Sequence, residues 1–356
     1  MQDNGEDMVR SPSIIVVTTM RNEGAFLVEW IAHHRALGVT GVVVVTNDCD
    51  DGTDALLDRL AEAGEVVHLR QAGRTGSVQW NALDLAQETD EVRRADWALG
   101  IDCDEFVNLR QPLATLADLI GRLGDADAVI LPWRFFGNSG RHRFADEPVT
   151  LRFQRAIPDD ALFPGVARSF KTLARWREGP FRRLGVHRPK SRGRTAAVWV
   201  DGSGRRLPDA FATDDKRLLL MTPRIESTLV QLNHYSIRST EDFLVKRARG
   251  LPNRTGKKID ASYWAERNFN NVEDTTIARH RPGTENETAR LLGLPGLSSA
   301  WEAAVAAHRE RIATLLADAE YATLYSRLVL LETSVPPSPE EALRLLKLVH
   351  SAREKD

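Results

Sequence analysis

The chain has 356 residues, 48 Lys and Arg against 50 Asp and Glu, and a formal net charge of -2. An apolar fraction of 42% and a charged fraction of 28% fit a globular chain of one large or two modest domains. No nucleic-acid partner is expected. No apolar run approaches the ~20 residues that a membrane helix requires. The first dozen residues are polar and acidic, unlike a signal peptide, and are expected to be disordered. Two cysteines, Cys49 and Cys103, fit a reducing cytoplasm better than a disulfide framework.

Taken in order, Ser13 to Thr19 reads as a buried strand and Met20 to Gly24 as a polar turn. Ala25 to Leu37 carries helical apolar spacing, and Gly38 is placed to end that helix. Gly41 to Thr46 is a second strand. The loop from Asn47 to Gly52 leads to Thr53 as N-cap of a helix reaching about Ala63. Glu65 to Leu69 is a third strand, Gly73 to Gln87 passes from loop to helix, and Asp96 to Ile101 is a fourth strand. Alternating strands and helices predict a mostly parallel, doubly wound α/β sheet. A helix over Pro112 to Leu123, a strand over Ala128 to Phe136 and a short helix over Pro148 to Ile157 follow. Arg168 to Arg206 holds about a dozen basic residues against Glu178 and Asp201, a source of positive field. Within it Thr172 to Trp176 and Ala196 to Val200 read as hairpin strands. Ser227 to Ser236 is a strand, Ser239 caps a helix to Gly250, and Leu251 to Thr284 is polar and irregular. Beyond Ser298 the chain reads as helical.

Chemistry concentrates at the end of the fourth strand, where Asp102, Asp104 and Glu105 occupy four positions. Carboxylates this close repel one another, and a divalent cation such as Mn²⁺ or Mg²⁺ would relieve the repulsion. In isolation the pattern is an acidic turn. Its place matters, because ligands of open α/β sheets sit at the carboxyl ends of strands. Asn22 and Glu23 end the first strand and Asp48 ends the second, so polar groups gather along one sheet edge. The Asn47 to Thr53 loop fails the EF-hand spacing, and Gly73 to Ser77 lacks the ending of a phosphate-binding Walker loop. His33 and His34 lie mid-helix and read as core residues. His234 ends an apolar strand ahead of a helix bearing Lys246 and Arg249, which makes it a candidate third metal ligand. His187 is a rival for that role or for contacting an acceptor.

Several pieces together resemble family 2-type glycosyltransferases, in the branch that shares features with family 92 enzymes. They are Met20 to Glu23, Glu29 to His34, Asn47-Asp48, Asp51 to Thr53, Asp102 to Phe106, Lys171 to Leu173, His187 to Pro189 and Asn233 to Tyr235 with Lys246 and Arg249. The resemblance implies a glycosyltransferase A-type core over residues 13–250, an irregular connecting segment over 251–297 and a helical region over 298–356. It implies a nucleotide-diphosphate-sugar donor, a glycan or glycolipid acceptor and a Mn²⁺ or Mg²⁺ ion bridging Asp104 and the diphosphate. Asn22, Glu23, Asp48 and Asn81 would hold the nucleoside, with Asp102 near the ribose or the cation. Lys246 and Arg249 would meet the diphosphate. Most such enzymes invert the anomeric centre, which needs a base; Asp146 and Glu147 stand where one is expected, with Glu178 as a second choice. The expected location is cytoplasmic, with contact at the inner membrane face. Two rivals are a sugar-phosphate nucleotidyltransferase, disfavoured by the turn Met20 to Gly24, and a non-catalytic protein docking an anionic polymer or membrane through residues 168–206.

Overall fold

The computed structural model describes residues 10–71, 76–193, 197–214, 218–219, 227–250 and 259–353. The expected N-terminal disorder and most of the Gly73 to Ser77 loop lie outside these residues. The chain runs through β1 (Ile14–Met20), α1 (Gly24–Ala36), β2 (Gly41–Thr46), α2 (Thr53–Glu62), β3 (Val67–Arg70), α3 (Val78–Gln87), α4 (Asp90–Arg94) and β4 (Trp97–Gly100). It continues with β5 (Glu105–Leu109), α5 (Leu116–Arg122), β6 (Ala128–Phe135), α6 (Val149–Arg152), β7 (Arg155–Ala156), β8 (Phe170–Arg175), β9 (Phe181–Arg183), β10 (Lys190–Ser191), β11 (Trp199–Val200) and α7 (Asp209–Thr213). Then come β12 (Val230–His234), α8 (Thr240–Arg249), α9 (Ala261–Ala265), β13 (Val272–Glu273), α10 (Arg281–Leu292), α11 (Leu297–Leu316), α12 (Ala319–Leu330) and α13 (Pro339–Arg353).

The central sheet has the order β3-β2-β1-β4-β8-β6-β12-β5, with β11 attached to β6. β3, β2, β1 and β4 are parallel neighbours. β8 runs antiparallel between β4 and β6, β12 runs parallel to β6, and β5 closes the edge antiparallel to β12. The sheet is therefore mixed and mostly parallel, as the α/β pattern predicts.

Its apolar runs are continuous because both faces are covered. Alternate residues serve opposite layers. Ile14, Val16, Val42 and Val44 join the core of Trp30 and Ile31 from α1. Ile15, Val17, Val43 and Val45 join Ala82, Leu83 and Ala86 from α3 on the other face. Leu291 and Leu297 belong to the first of these cores, so α10 and α11 pack on the sheet's helical layer. α11 also approaches the first two strand-end turns closely. A Cβ added at Gly24 would meet the Ala304 methyl at 2.8 Å, and one at Gly52 would meet it at 3.6 Å.

Several elements differ from expectation. Gly52, with φ 89°, rather than Thr53, is the N-cap of α2; Thr53 is its first helical residue, and the Asp51 carboxylate accepts its N–H at 2.9 Å. α5 begins after Pro112, because Thr115 and Asp118 form a reciprocal capping box. The expected helix from Pro148 is a single turn. Phe170–Arg175 is a central strand and not part of a hairpin, since its apolar residues fill the sheet between β4 and β6. The segment expected to be irregular contains α9 and α10; its residues 251–258 lie outside the described set. β5 and α4 had no assignment in the sequence. The cap of α8 is as expected: the Ser239 hydroxyl accepts from Asp242 N–H, and Asp242 reaches back to the cap. No helix among the described residues is long and apolar enough to cross a membrane.

Candidate functional site

The first two strands end in tight turns whose key residues have left-handed backbones, Asn22 at φ 54° and Asp48 at φ 47°. Asn and Asp tolerate that region better than other side chains. The turns are tied together, because the Asn22 amide oxygen accepts the Asp50 N–H at 2.9 Å and its amide N–H donates to the Asp50 carboxylate at 2.5 Å.

The acidic turn lies between β4 and β5. Asp102 N–H donates to Glu105 Oε2 at 2.7 Å, and Glu105 N–H donates to the Asp102 carbonyl at 3.0 Å. Glu105 thus sits beneath the turn, fully buried. Burial pushes its carboxyl well above the usual range despite the nearby Lys171. Because β5 pairs antiparallel with β12, His234 is the register partner of Glu105. The same pairing lets Tyr235 N–H donate to the Asp104 carbonyl at 2.8 Å. Sheet register thus brings His234 to the motif across more than a hundred residues.

Asp104 is nearly buried. Its Oδ2 is 2.7 Å from Lys246 Nζ, and its Oδ1 is 3.5 Å from His234 Nε2. Burial would raise its pKa, but Lys246 and His234 hold it well below the usual carboxylate range. Burial lowers the pKa of His234, although Asp104 opposes that shift. Asp102 is turned another way: its Oδ2 lies 2.9 Å from the buried Lys171 ammonium, which also stands 3.4 Å from Glu105. Burial alone would lower Lys171, yet Asp102 and Glu105 push it up to about 12.

Glu23 forms a second charged centre with Arg238 and Arg249. Arg238 donates to Glu23 Oε2 at 2.9 Å, Arg249 pairs with Glu23 Oε1, and Arg249 also donates to the Arg21 carbonyl at 2.6 Å. Burial opposes ionisation of Glu23, but the two guanidinium groups bring its pKa below the ordinary value. Asn22, Glu23, Asp104, Lys246 and Arg249 line one cleft, together with Phe26, Arg238, Asp242 and His308. His187 lies close by. Its ring centroid is 5.2 Å from that of Trp133, and Trp133 is 4.3 Å from His234. Burial and then Lys171 lower His187 to about 4.

Other candidates stand apart from this cleft wall. Asp48 is exposed on its turn, and Asn81 is half-buried on α3. Asp146 and Glu147 are exposed, and Asp146 faces Arg309 of α11 at 3.7 Å. Their loop packs through Phe144 against Phe26 and His308, two residues of the cleft wall. Glu178 is exposed beside Arg177. Much of the basic segment is internally engaged: Lys171, Arg168 and Arg188 are buried, while Arg177 and Arg183 pair with Asp96 and Asp84.

Among the described residues no group of three His, Cys, Asp or Glu is arranged to hold a metal ion. A smaller donor set is present. The Asp104 oxygen and His234 nitrogen face each other, and an ion that keeps water and takes diphosphate oxygens needs only one or two protein ligands. The pair fits such an ion. Sequence reasoning had no signal for Arg238, whose partner Glu23 lies 215 positions away. Trp133 likewise carries no sequence signal beyond its place in a strand.

No family model matches the chain. Over 173 residues it is 26% identical to a glycosyltransferase family 92 protein of Oryza sativa subsp. japonica, covering 44% of this chain and 29% of that protein. The chain therefore spans under a third of the length of the curated relative it matches. Among solved structures it is similar to S. aureus TarS in complex with UDP, at 16% identity and a TM-score of 0.29, covering 46% of each chain. It is also similar to glucosyl-3-phosphoglycerate synthase of Mycobacterium tuberculosis in complex with Mg²⁺ and UDP, at 20% identity and a TM-score of 0.24, covering 34% of this chain and 44% of that one. Structural likenesses this partial carry no argument about the chemistry of this chain.

Proposed function

We propose that the chain is a glycosyltransferase with an A-type core, moving a sugar from a nucleotide-diphosphate-sugar to a glycan or glycolipid acceptor with inversion. The observation that carries this reading is the convergence of Asp104, Lys246 and Arg249 at the cleft beside the Asn22–Glu23 turn, with His234 against the Asp104 carboxylate. The partial likeness to a family 92 protein agrees with it. In this account Asn22, Asp48 and Asn81 meet the nucleoside, and Glu23 acts indirectly by fixing Arg249. Asp102, held by Lys171, faces the ribose. Asp104 and His234 hold Mn²⁺ or Mg²⁺, which supplies positive charge against the departing diphosphate. Lys246 and Arg249 add positive charge at the same place. His187 belongs to the acceptor side, next to Trp133. Asp146 and Glu147 remain the candidates for the inverting base, because their loop packs against the cleft wall. The reading includes a cytoplasmic enzyme working at the inner membrane face.

A thermal-shift screen of nucleoside diphosphates tests the donor site. One nucleoside diphosphate with Mn²⁺, at about 100 times its dissociation constant, should add about 2.7 kcal/mol of stability and raise the melting temperature by several degrees. Nucleoside triphosphate with sugar phosphate stabilising the chain and releasing pyrophosphate would favour the nucleotidyltransferase instead.

A further inference from the structure

Each aspartate of the acidic turn is held by one lysine, and the two lysines differ in kind. Lys171 projects from β8 in the middle of the sheet, is 1% exposed, and is clamped between Asp102 and Glu105. A buried ammonium that satisfies two acids is a fixed part of the core. Lys246 sits in the last turn of α8, its side chain is 13% exposed, and it lines the cleft. Its ammonium bonds Asp104 Oδ2 and the Ser236 carbonyl, each at 2.7 Å. Four rotatable carbons and an open side give this group somewhere else to go.

The position also creates a conflict. A divalent ion taken up by Asp104 and His234 would stand within a few ångströms of the Lys246 ammonium, and like charges at that range repel strongly in a partly buried site. The geometry points to Lys246 as a positioning residue that exchanges partners, from the Asp104 carboxylate to the diphosphate oxygens of the donor, so that cation and donor each promote the other's binding. This rests on the proposed nucleotide-diphosphate reading of the cleft. Donor oxygens draw Lys246 away and free Asp104 Oδ2 for the ion. The ion in turn displaces Lys246 toward the diphosphate. Such coupling is reciprocal, so it is measurable from either ligand. Lys171, with no open side, takes no part in the exchange.

The test is Mn²⁺ binding to the full chain, followed by the electron paramagnetic resonance signal of free Mn²⁺, with and without the nucleoside diphosphate that stabilises the protein. In the wild type, nucleotide should tighten Mn²⁺ about tenfold. In Lys246→Met, Mn²⁺ alone should bind about tenfold more tightly than to the wild type, and nucleotide should tighten it by a smaller factor than in the wild type. Lys246→Arg keeps the charge and grips a carboxylate through two N–H groups, so its Mn²⁺ affinity should equal or fall below that of the wild type. That variant decides the matter even if the methionine form does not fold. Unchanged Mn²⁺ affinity in Lys246→Met, or tighter Mn²⁺ binding in Lys246→Arg, would overturn the exchange while leaving the donor site in place. A wild-type chain that binds neither Mn²⁺ nor any nucleoside diphosphate would instead remove the functional reading on which the exchange rests.

Discussion

Asp104→Asn is expected to lower release of nucleoside diphosphate from the donor by about 10²- to 10³-fold, the usual cost of losing one preorganised electrostatic contact at a developing charge. The substitution keeps the shape and one oxygen for Lys246, but removes the negative charge that Asp104 maintains through its pairing with Lys246 and His234. Neither neighbouring acid can take over. Asp102 is bound to Lys171, and Glu105 is buried under the turn with its pKa raised. Far-UV circular dichroism should be unchanged, and stability should fall by about 1–3 kcal/mol, the range for a weakened hydrogen bond to a charged group. Turnover measured by coupled detection of the released diphosphate checks the claim. Wild-type rates in the variant would take Asp104 out of the reaction.

The second large effect is on folding. Glu23→Ala removes the carboxylate that balances Arg238 and Arg249. Arg238 is 7% exposed and lies 3.6 Å over the Phe26 ring, so it has little access to water once its partner is gone. Breaking a buried pair in this way costs about 3–5 kcal/mol, which urea denaturation will report directly. The sign of the pH dependence follows from the lowered pKa of Glu23. Its contribution is complete above the ordinary carboxylate value of 4.5 and is lost as pH falls through the lower folded-state value. Wild-type stability should therefore decline more steeply in acid than that of Glu23→Ala. Glu178→Ala makes a suitable control, since that side chain is 81% exposed and 3.8 Å from its nearest cation. Exposed positions of this sort change stability by less than about 0.5 kcal/mol.

Local pattern carried much of the fold. The Val- and Ile-rich runs of β1 and β2 announce strands covered on both faces, and Gly38, with φ 88°, ends α1 as its position suggests. Strand order was not legible. β8 reads as one piece of a basic hairpin region, and its central place depends on partners in β4 and β6 far along the chain. β5 was hidden because its first residue, Glu105, looks like part of the acidic turn, while Asn108 interrupts its apolar run. The site shows the same division. Strand-end residues such as Asn22 and Asp104 stand out through local clustering, and His234 stands out at the end of an apolar run ahead of a basic helix. Arg238 leaves no comparable trace, because its significance arises only when β12 delivers the following turn to Glu23. The acidic pair itself reads differently in three dimensions: separated only by Cys103 in sequence, Asp102 and Asp104 are claimed by different lysines.

The most direct measurement is an anomalous difference map at the manganese edge from crystals grown with Mn²⁺ and the stabilising nucleoside diphosphate. One strong peak is expected between Asp104 and His234, with diphosphate density reaching from it toward Lys246 and Arg249 and the nucleoside lying along the Asn22 turn. Nucleotide bound elsewhere on the chain, or diphosphate in this cleft with no manganese peak at Asp104, would contradict it.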